Sequence, residues 1–136
     1  MAGRVLVVDD EPDICDLLTM MLEDDERCEA VQAVGELDEV VGRATELVPD
    51  CIVLDLMFGH RTCVDILPSL RRACPDAHIV VFTSSRRSAI AAGVLDLGAD
   101  VVVQKVSVSF EDLTALALSP AVRLAAPSPP AMLRDC

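Results

Sequence analysis

Asp9 and Asp10 stand side by side at the end of the apolar run VLVV, and three later apolar runs deliver further side chains that could do chemistry. Asp55 follows CIVL, Thr83 follows IVVF, and Lys105 comes just after Val101–Val103. If these runs are neighbouring strands pointing one way, a single sheet edge collects Asp9, Asp10 and Asp55 with one hydroxyl and one ammonium. Carboxylates held together repel unless a cation neutralises them, and an all-oxygen set with positions open to water suits a hard octahedral ion such as Mg²⁺. The plainer account is helix capping. Asp10 or Glu11 could cap a helix that has Pro12 at its first position and Asp13 in its first turn. Capping explains one acid, but not Asp55, Thr83 and Lys105 at matching strand ends.

The elements that must position these residues are legible as periodicities. The runs Val5–Val8, Cys51–Leu54, Ile79–Phe82 and Val101–Val103 lack polar alternation, which suits strands covered on both faces of a parallel sheet. The segment from Cys28 to Val34 is more polar and fits an edge strand. Between them, Ile14, Leu17, Leu18, Met21 and Leu22 follow the helical period, as do Leu37, Val40, Val41, Ala44 and Leu47. Ile66, Leu67 and Leu70 start a third helix, Ile90, Val94 and Leu97 mark a fourth, and Phe110, Leu113, Leu116 and Ala117 a short fifth. Strand and helix alternate five times, which predicts an α/β sheet wound with helices on both faces. Such sheets keep their sites outside the carboxyl ends of the strands. After Leu118 the text turns to SPAVRLAAPSPPAMLRDC, rich in proline and alanine and without sustained period, so residues 119–136 read as a disordered tail behind a domain of residues 1–118.

Composition narrows the partners. With 11 basic and 23 acidic residues in 136, the net charge is −12, which argues against direct nucleic-acid binding and against an anionic membrane surface. Proteins, cations and small molecules remain. No apolar run approaches a membrane span and no signal-peptide core opens the chain, so the sequence reads as soluble and cytoplasmic. The six cysteines show no C-x-x-C spacing and several sit in apolar runs, so they read as small buried hydrophobes rather than zinc ligands. The only aromatics, Phe58, Phe82 and Phe110, offer no stacking surface for bases.

From Arg4 to about Leu118, the stretches VLVVDDEPDI, PDCIVLDLMF, IVVFTSS and LGADVVVQK make the chain resemble the receiver domain of two-component response regulators, similar to the chemotaxis regulator. The resemblance implies a flavodoxin-like doubly wound sheet of five parallel strands in order 2-1-3-4-5, two helices on one face and three on the other. It implies that Asp55 accepts a phosphoryl group from a sensor histidine kinase or phosphotransfer protein. It further implies Mg²⁺ bound directly by Asp10, Asp55 and the Met57 carbonyl, Asp9 acting mainly through water, and Thr83 and Lys105 touching the phosphoryl oxygens. Such a protein is a phosphoacceptor that assists its own phosphorylation and dephosphorylation rather than an enzyme. Phosphoryl transfer needs mostly positioning and charge stabilisation, and those residue types supply it. Ser84, small and next to Thr83, leaves room for the phosphoryl group and a water.

Three positions depart from the family pattern. After Asp55 the family continues with Met-Pro and a later glycine, whereas this chain has Phe58, Gly59 and Cys63, so the loop is expected to take another path; His60 and Arg61 in it read as solvated residues rather than phosphate contacts. The lysine is ordinarily followed by a cis proline, and here Val106 follows, so the bond is trans or the turn strained. Where the family places a swinging Tyr or Phe, this chain has Val102. Two functions follow: a phosphoryl-accepting receiver with altered switching, which could pair with a second copy of itself, or a constitutive interaction module docking through its fourth and fifth helices. An aspartate-nucleophile phosphatase of the dehalogenase type would need an acid two residues after Asp55, where Met57 stands. The piece LALSPAVRLA faintly resembles the linker to a helix-turn-helix, though none follows in this sequence.

Overall fold

The computed structural model describes residues 3–58, 61–83, 88–104 and 110–118. In chain order these form β1 (Gly3–Val8), α1 (Pro12–Glu23), β2 (Cys28–Val34), α2 (Val40–Leu47), β3 (Cys51–Asp55) and the two-residue strands β4 (Met57–Phe58) and β5 (Arg61–Thr62). Then come α3 (Leu67–Ala73), β6 (His78–Thr83), α4 (Ser88–Leu97), β7 (Val101–Gln104) and α5 (Phe110–Leu118). The main sheet is parallel, in order β2-β1-β3-β6-β7, which is the expected 2-1-3-4-5 once the β4–β5 hairpin is set apart. The proline-rich tail and the Lys105–Val106 bond lie outside the described residues.

Strand alternation sorts the apolar runs into two cores. Val5, Val7, Val53, Val80 and Phe82 pack with Cys15, Leu18 and Leu22 of α1 and with Ala117 and Leu118 of α5. Leu6, Val8, Ile52, Leu54 and Val81 face the other way, onto α2, α3 and α4 through Val40, Ala44, Leu67, Leu70 and Val94. The second helix begins as a 3₁₀ turn at Leu37–Glu39, so its periodic residue Leu37 anchors a turn rather than the helix proper. It stops at Val48, which takes a left-handed backbone (φ 52°) uncommon for a β-branched residue, and the following Pro49 cannot continue the helix.

The amino-terminal edge of the sheet is tied by one guanidinium. Arg71, in the last turn of α3, donates to the Gly98 carbonyl at 2.6 and 3.0 Å, to that of Ala77 at 2.7 Å and to the Asp100 carboxylate at 2.8 Å. Gly98, at φ +128°, is required here: a Cβ would lie 3.0 Å from Arg71 Cβ. The same Asp100 oxygen accepts the Ile79 amide at 2.8 Å, with His78 Nδ1 at 3.7 Å. Burial alone would push the Asp100 carboxyl up, but the neighbouring His78, the Ile79 amide and the Arg71 guanidinium outweigh it and hold it at about 2. Because the folded value lies below the ordinary one, the stabilisation is full above about pH 4 and is lost as pH falls towards 2, a contribution of roughly 2 kcal/mol. Urea unfolding followed from neutral pH to pH about 2 should show that loss, and Asp100→Asn should start less stable and lose correspondingly less on acidification.

Candidate functional site

Parallel pairing of Val8 with Leu54 carries the next residue of each strand, Asp9 and Asp55, out at the same carboxyl edge. The chain then turns sharply. The Asp9 amide donates to the Val34 carbonyl at 3.2 Å, and its Oδ1 accepts the Glu11 amide at 2.9 Å. Glu11 occupies the position before α1, yet its side chain makes no capping bond, and Pro12 opens the helix. Capping by Glu11 is therefore not what the acidic cluster is for. Thr83 closes β6 one residue beyond Phe82, the partner of Asp55 across the sheet.

Carboxylate oxygens of Asp9, Asp10 and Asp55 lie within 4.8 Å of one another, the one group of three or more potential metal-ligating side chains among the described residues. Asp9 and Asp55 are only 1% and 5% exposed, Thr83 is buried, and Asp10 faces solvent. Met57 sits in the open at the base of the hairpin, its amide 3.4 Å from Asp55 Oδ1. Thus four sequence-predicted residues and Met57 share one corner of the sheet; Lys105 and Ser84 lie outside the described residues, as do Gly59 and His60.

The loop after Asp55 does take a path of its own. Met57 pairs with Thr62 and Phe58 with Arg61 in an antiparallel hairpin, and the Cys63 amide donates to the Leu56 carbonyl at 2.8 Å. Phe58 and Cys63 plug its two ends into the core. Burial first, and the Asp55 charge second, push the Cys63 thiol up to about 12, so it is packing rather than a nucleophile. Arg61 is exposed, as its sequence context suggested, but engaged: it pairs with Asp38 at 2.9 Å and Asp65 at 3.4 Å. The Asp38 contact had no local sequence signal, because 23 residues separate the partners. Val102 is fully enclosed between sheet and helices.

Comparison with known proteins matches residues 5–117 to the response regulator receiver domain. The chain belongs to the response regulator receiver domain family. The DNA-binding response regulator MtrA of Mycolicibacterium smegmatis is 33% identical over 105 residues, covering 77% of this receiver and 45% of MtrA, so the chain spans less than half of that relative. A response regulator from Burkholderia pseudomallei, solved with a phosphorylated aspartic acid, a calcium ion and citrate, superposes with a TM-score of 0.78 at 27% identity, over 92% of this receiver and 71% of that chain. A LuxR-family two-component response regulator from Aurantimonas sp. SI85-9A1 gives 0.80 at 22% identity over 99% and 97%, a likeness of fold.

Receivers carry a divalent cation at such an acidic corner, and the donor set here fits one. Oxygens on opposite sides of an octahedral Mg²⁺ are about 4.2 Å apart, and those around Ca²⁺ about 5 Å, so a 4.8 Å spread needs little adjustment for either. No helix among the described residues is long and apolar enough to cross a membrane. Relieving like-charge repulsion predicts that Asp10→Asn stabilises the metal-free receiver by about 1 kcal/mol in urea unfolding. Millimolar Mg²⁺ should stabilise the natural receiver and do so much less in the variant.

Proposed function

We propose that Asp55 accepts a phosphoryl group from the phosphohistidine of a sensor kinase or phosphotransfer protein, in a reaction dependent on Mg²⁺. The observation that carries this reading is the gathering of Asp9, Asp10 and Asp55 beside Thr83 at the carboxyl end of the central strands. An Asp55 carboxylate oxygen forms the new bond to phosphorus as the phosphorus–nitrogen bond of the donor breaks and its imidazole regains a proton. Asp10, Asp55 and the Met57 carbonyl would hold Mg²⁺, with Asp9 beside them; the ion neutralises charge on the acids and on the transferring group. Thr83 and Lys105 meet the phosphoryl oxygens. The Burkholderia pseudomallei regulator, with its phosphorylated aspartic acid and calcium ion, supports the assignment. A cytoplasmic protein partner suits a net charge of −12 better than direct contact with DNA.

The finer part of the proposal is an altered switch. Val102 is 1% exposed and lies in the core with Val94 and Ala99, and it offers no ring to swing inward. A β-branched side chain has few rotamers, and an equilibrium moves only by a difference in interaction between two states. Signalling through α4, β7 and α5 is therefore weak, and partner binding there is largely constitutive.

Two measurements check these readings. Incubation with Mg²⁺ and acetyl phosphate should add one phosphoryl mass on Asp55, and Asp55→Asn should abolish it while keeping the same circular dichroism spectrum; unchanged loading of that variant would remove Asp55 from the role. Loading with a beryllofluoride mimic should leave amide exchange of α4 and the oligomeric state nearly unchanged, whereas strong new protection or dimerisation there would restore an ordinary switch.

A further inference from the structure

The geometry points to Arg61 as a positioning residue for the metal site, acting as a clamp that holds the β4–β5 hairpin against the turn before α2. The inference rests on the reading of Met57 as a ligand through its carbonyl, and it assigns the part of the chain that keeps that carbonyl in place.

The hairpin is a weak element by itself. Its strands have two residues each, too few to be stable without help. Its inner side is held by Phe58 and Cys63 in the core, and its base by the Met57 amide near Asp55. On the outside, Arg61 spans two elements: Nη1 donates to Asp38 Oδ1 at 2.9 Å, in the 3₁₀ turn ahead of α2, and Nε to Asp65 Oδ2 at 3.4 Å, in the turn after β5. Arg61 and Asp38 also line a cleft of about 230 Å³ with Phe58 and Leu37, and Asp10 of the acidic cluster is part of the same wall. The clamp therefore borders the space next to a proposed metal ligand. Arginine suits the task because its fixed fork can serve two acceptors at once, which a lysine ammonium on a flexible stem does less well.

Electrostatics gives the idea a sign that a simple charge effect would not share. A cation close to the acidic corner repels Mg²⁺, so deleting it should tighten metal binding if charge were all that mattered. A positioning role predicts the opposite, since a loosened hairpin must be ordered again each time its carbonyl is used.

The experiment is isothermal titration of the full chain with MgCl₂, paired with amide exchange across residues 57–62. Arg61→Ala should weaken Mg²⁺ binding about threefold to tenfold and speed exchange in the hairpin, while Arg61→Lys keeps the charge and recovers part of the loss. Asp38→Asn should copy the exchange effect, because it breaks the same clamp from the other side. With acetyl phosphate, Arg61→Ala should need more Mg²⁺ for half-maximal loading of Asp55, with the rate at saturating Mg²⁺ little changed. If Arg61→Ala bound Mg²⁺ as well as or better than the natural chain while Asp55 still became phosphorylated, the clamp would be wrong and the phosphoacceptor reading would stand. If the natural chain took up no Mg²⁺ at all, both would fall together.

Discussion

Like charges held at the end of a buried sheet set the terms for this molecule. Two unit charges about 5 Å apart repel by about 3 kcal/mol at an effective dielectric of 20, and burying a carboxylate adds a desolvation cost of its own. The fold places Asp9 and Asp55 in that situation because the preceding residues, Val5–Val8 and Cys51–Leu54, are all interior. Their parallel register leaves the acids nowhere to diverge. Positive charge brought to such a corner offsets that repulsion, which is the physical reason receivers carry a divalent cation at an acidic pocket. The remaining structure can be understood as what keeps that corner from relaxing.

The opposite edge shows how the same chain treats acids that have only a structural part. Asp50 accepts the Arg4 amide at 2.9 Å, and its own amide and carbonyl continue the network to Arg4 and His78. Asp100 meets Arg71 and the Ile79 amide. There each carboxylate is matched by a guanidinium or a peptide donor, and the depressed Asp100 value follows. At the carboxyl edge three carboxylates crowd within 4.8 Å of one another, with the Glu11 and Met57 amides donating to Asp9 and Asp55. The two edges differ in how closely their carboxylates are gathered rather than in exposure, since Asp9 is more buried than Asp100.

The parts of the fold that were legible in sequence are those where one physical signal dominates. Continuous apolar runs with no alternation announce strands covered on both faces, and the residue after each run is then at the site edge, which is how Asp9, Asp55 and Thr83 could be named without coordinates. The hairpin from Met57 to Thr62 could not be. Two-residue strands leave no period to detect, and their pairing follows from where Phe58 and Cys63 find core space. The Arg71 hub was hidden for a related reason. Its partners Gly98 and Asp100 lie 27 and 29 residues away, and nothing near Arg71 distinguishes it from Arg72, which faces solvent beside Ser69. Leu37 misled in a smaller way, fitting the helical period while anchoring a 3₁₀ turn.

These arrangements bear on where a signal can travel. A switch needs an element with two packings of nearly equal free energy, and the altered switching proposed above rests on the enclosure of Val102 in the core. The β4–β5 hairpin is a better candidate on physical grounds. It is pinned inside by two buried side chains and outside by ion pairs whose members are roughly half exposed or more, of the kind worth about 1 kcal/mol or less each. Its base touches Asp55 through the Met57 amide, so a change in the charge or bonding of that carboxylate acts on the hairpin without an intermediary. An element so close to the modified atom and so lightly held can be tipped by a modest differential interaction, whereas moving α4 would first require opening the core around Val94, Ala99 and Val102. On the proposed reading, the valine at position 102 and the unusual residues after Asp55 form one physical pattern, in which the moving part is the loop that carries the site rather than the far side of the sheet.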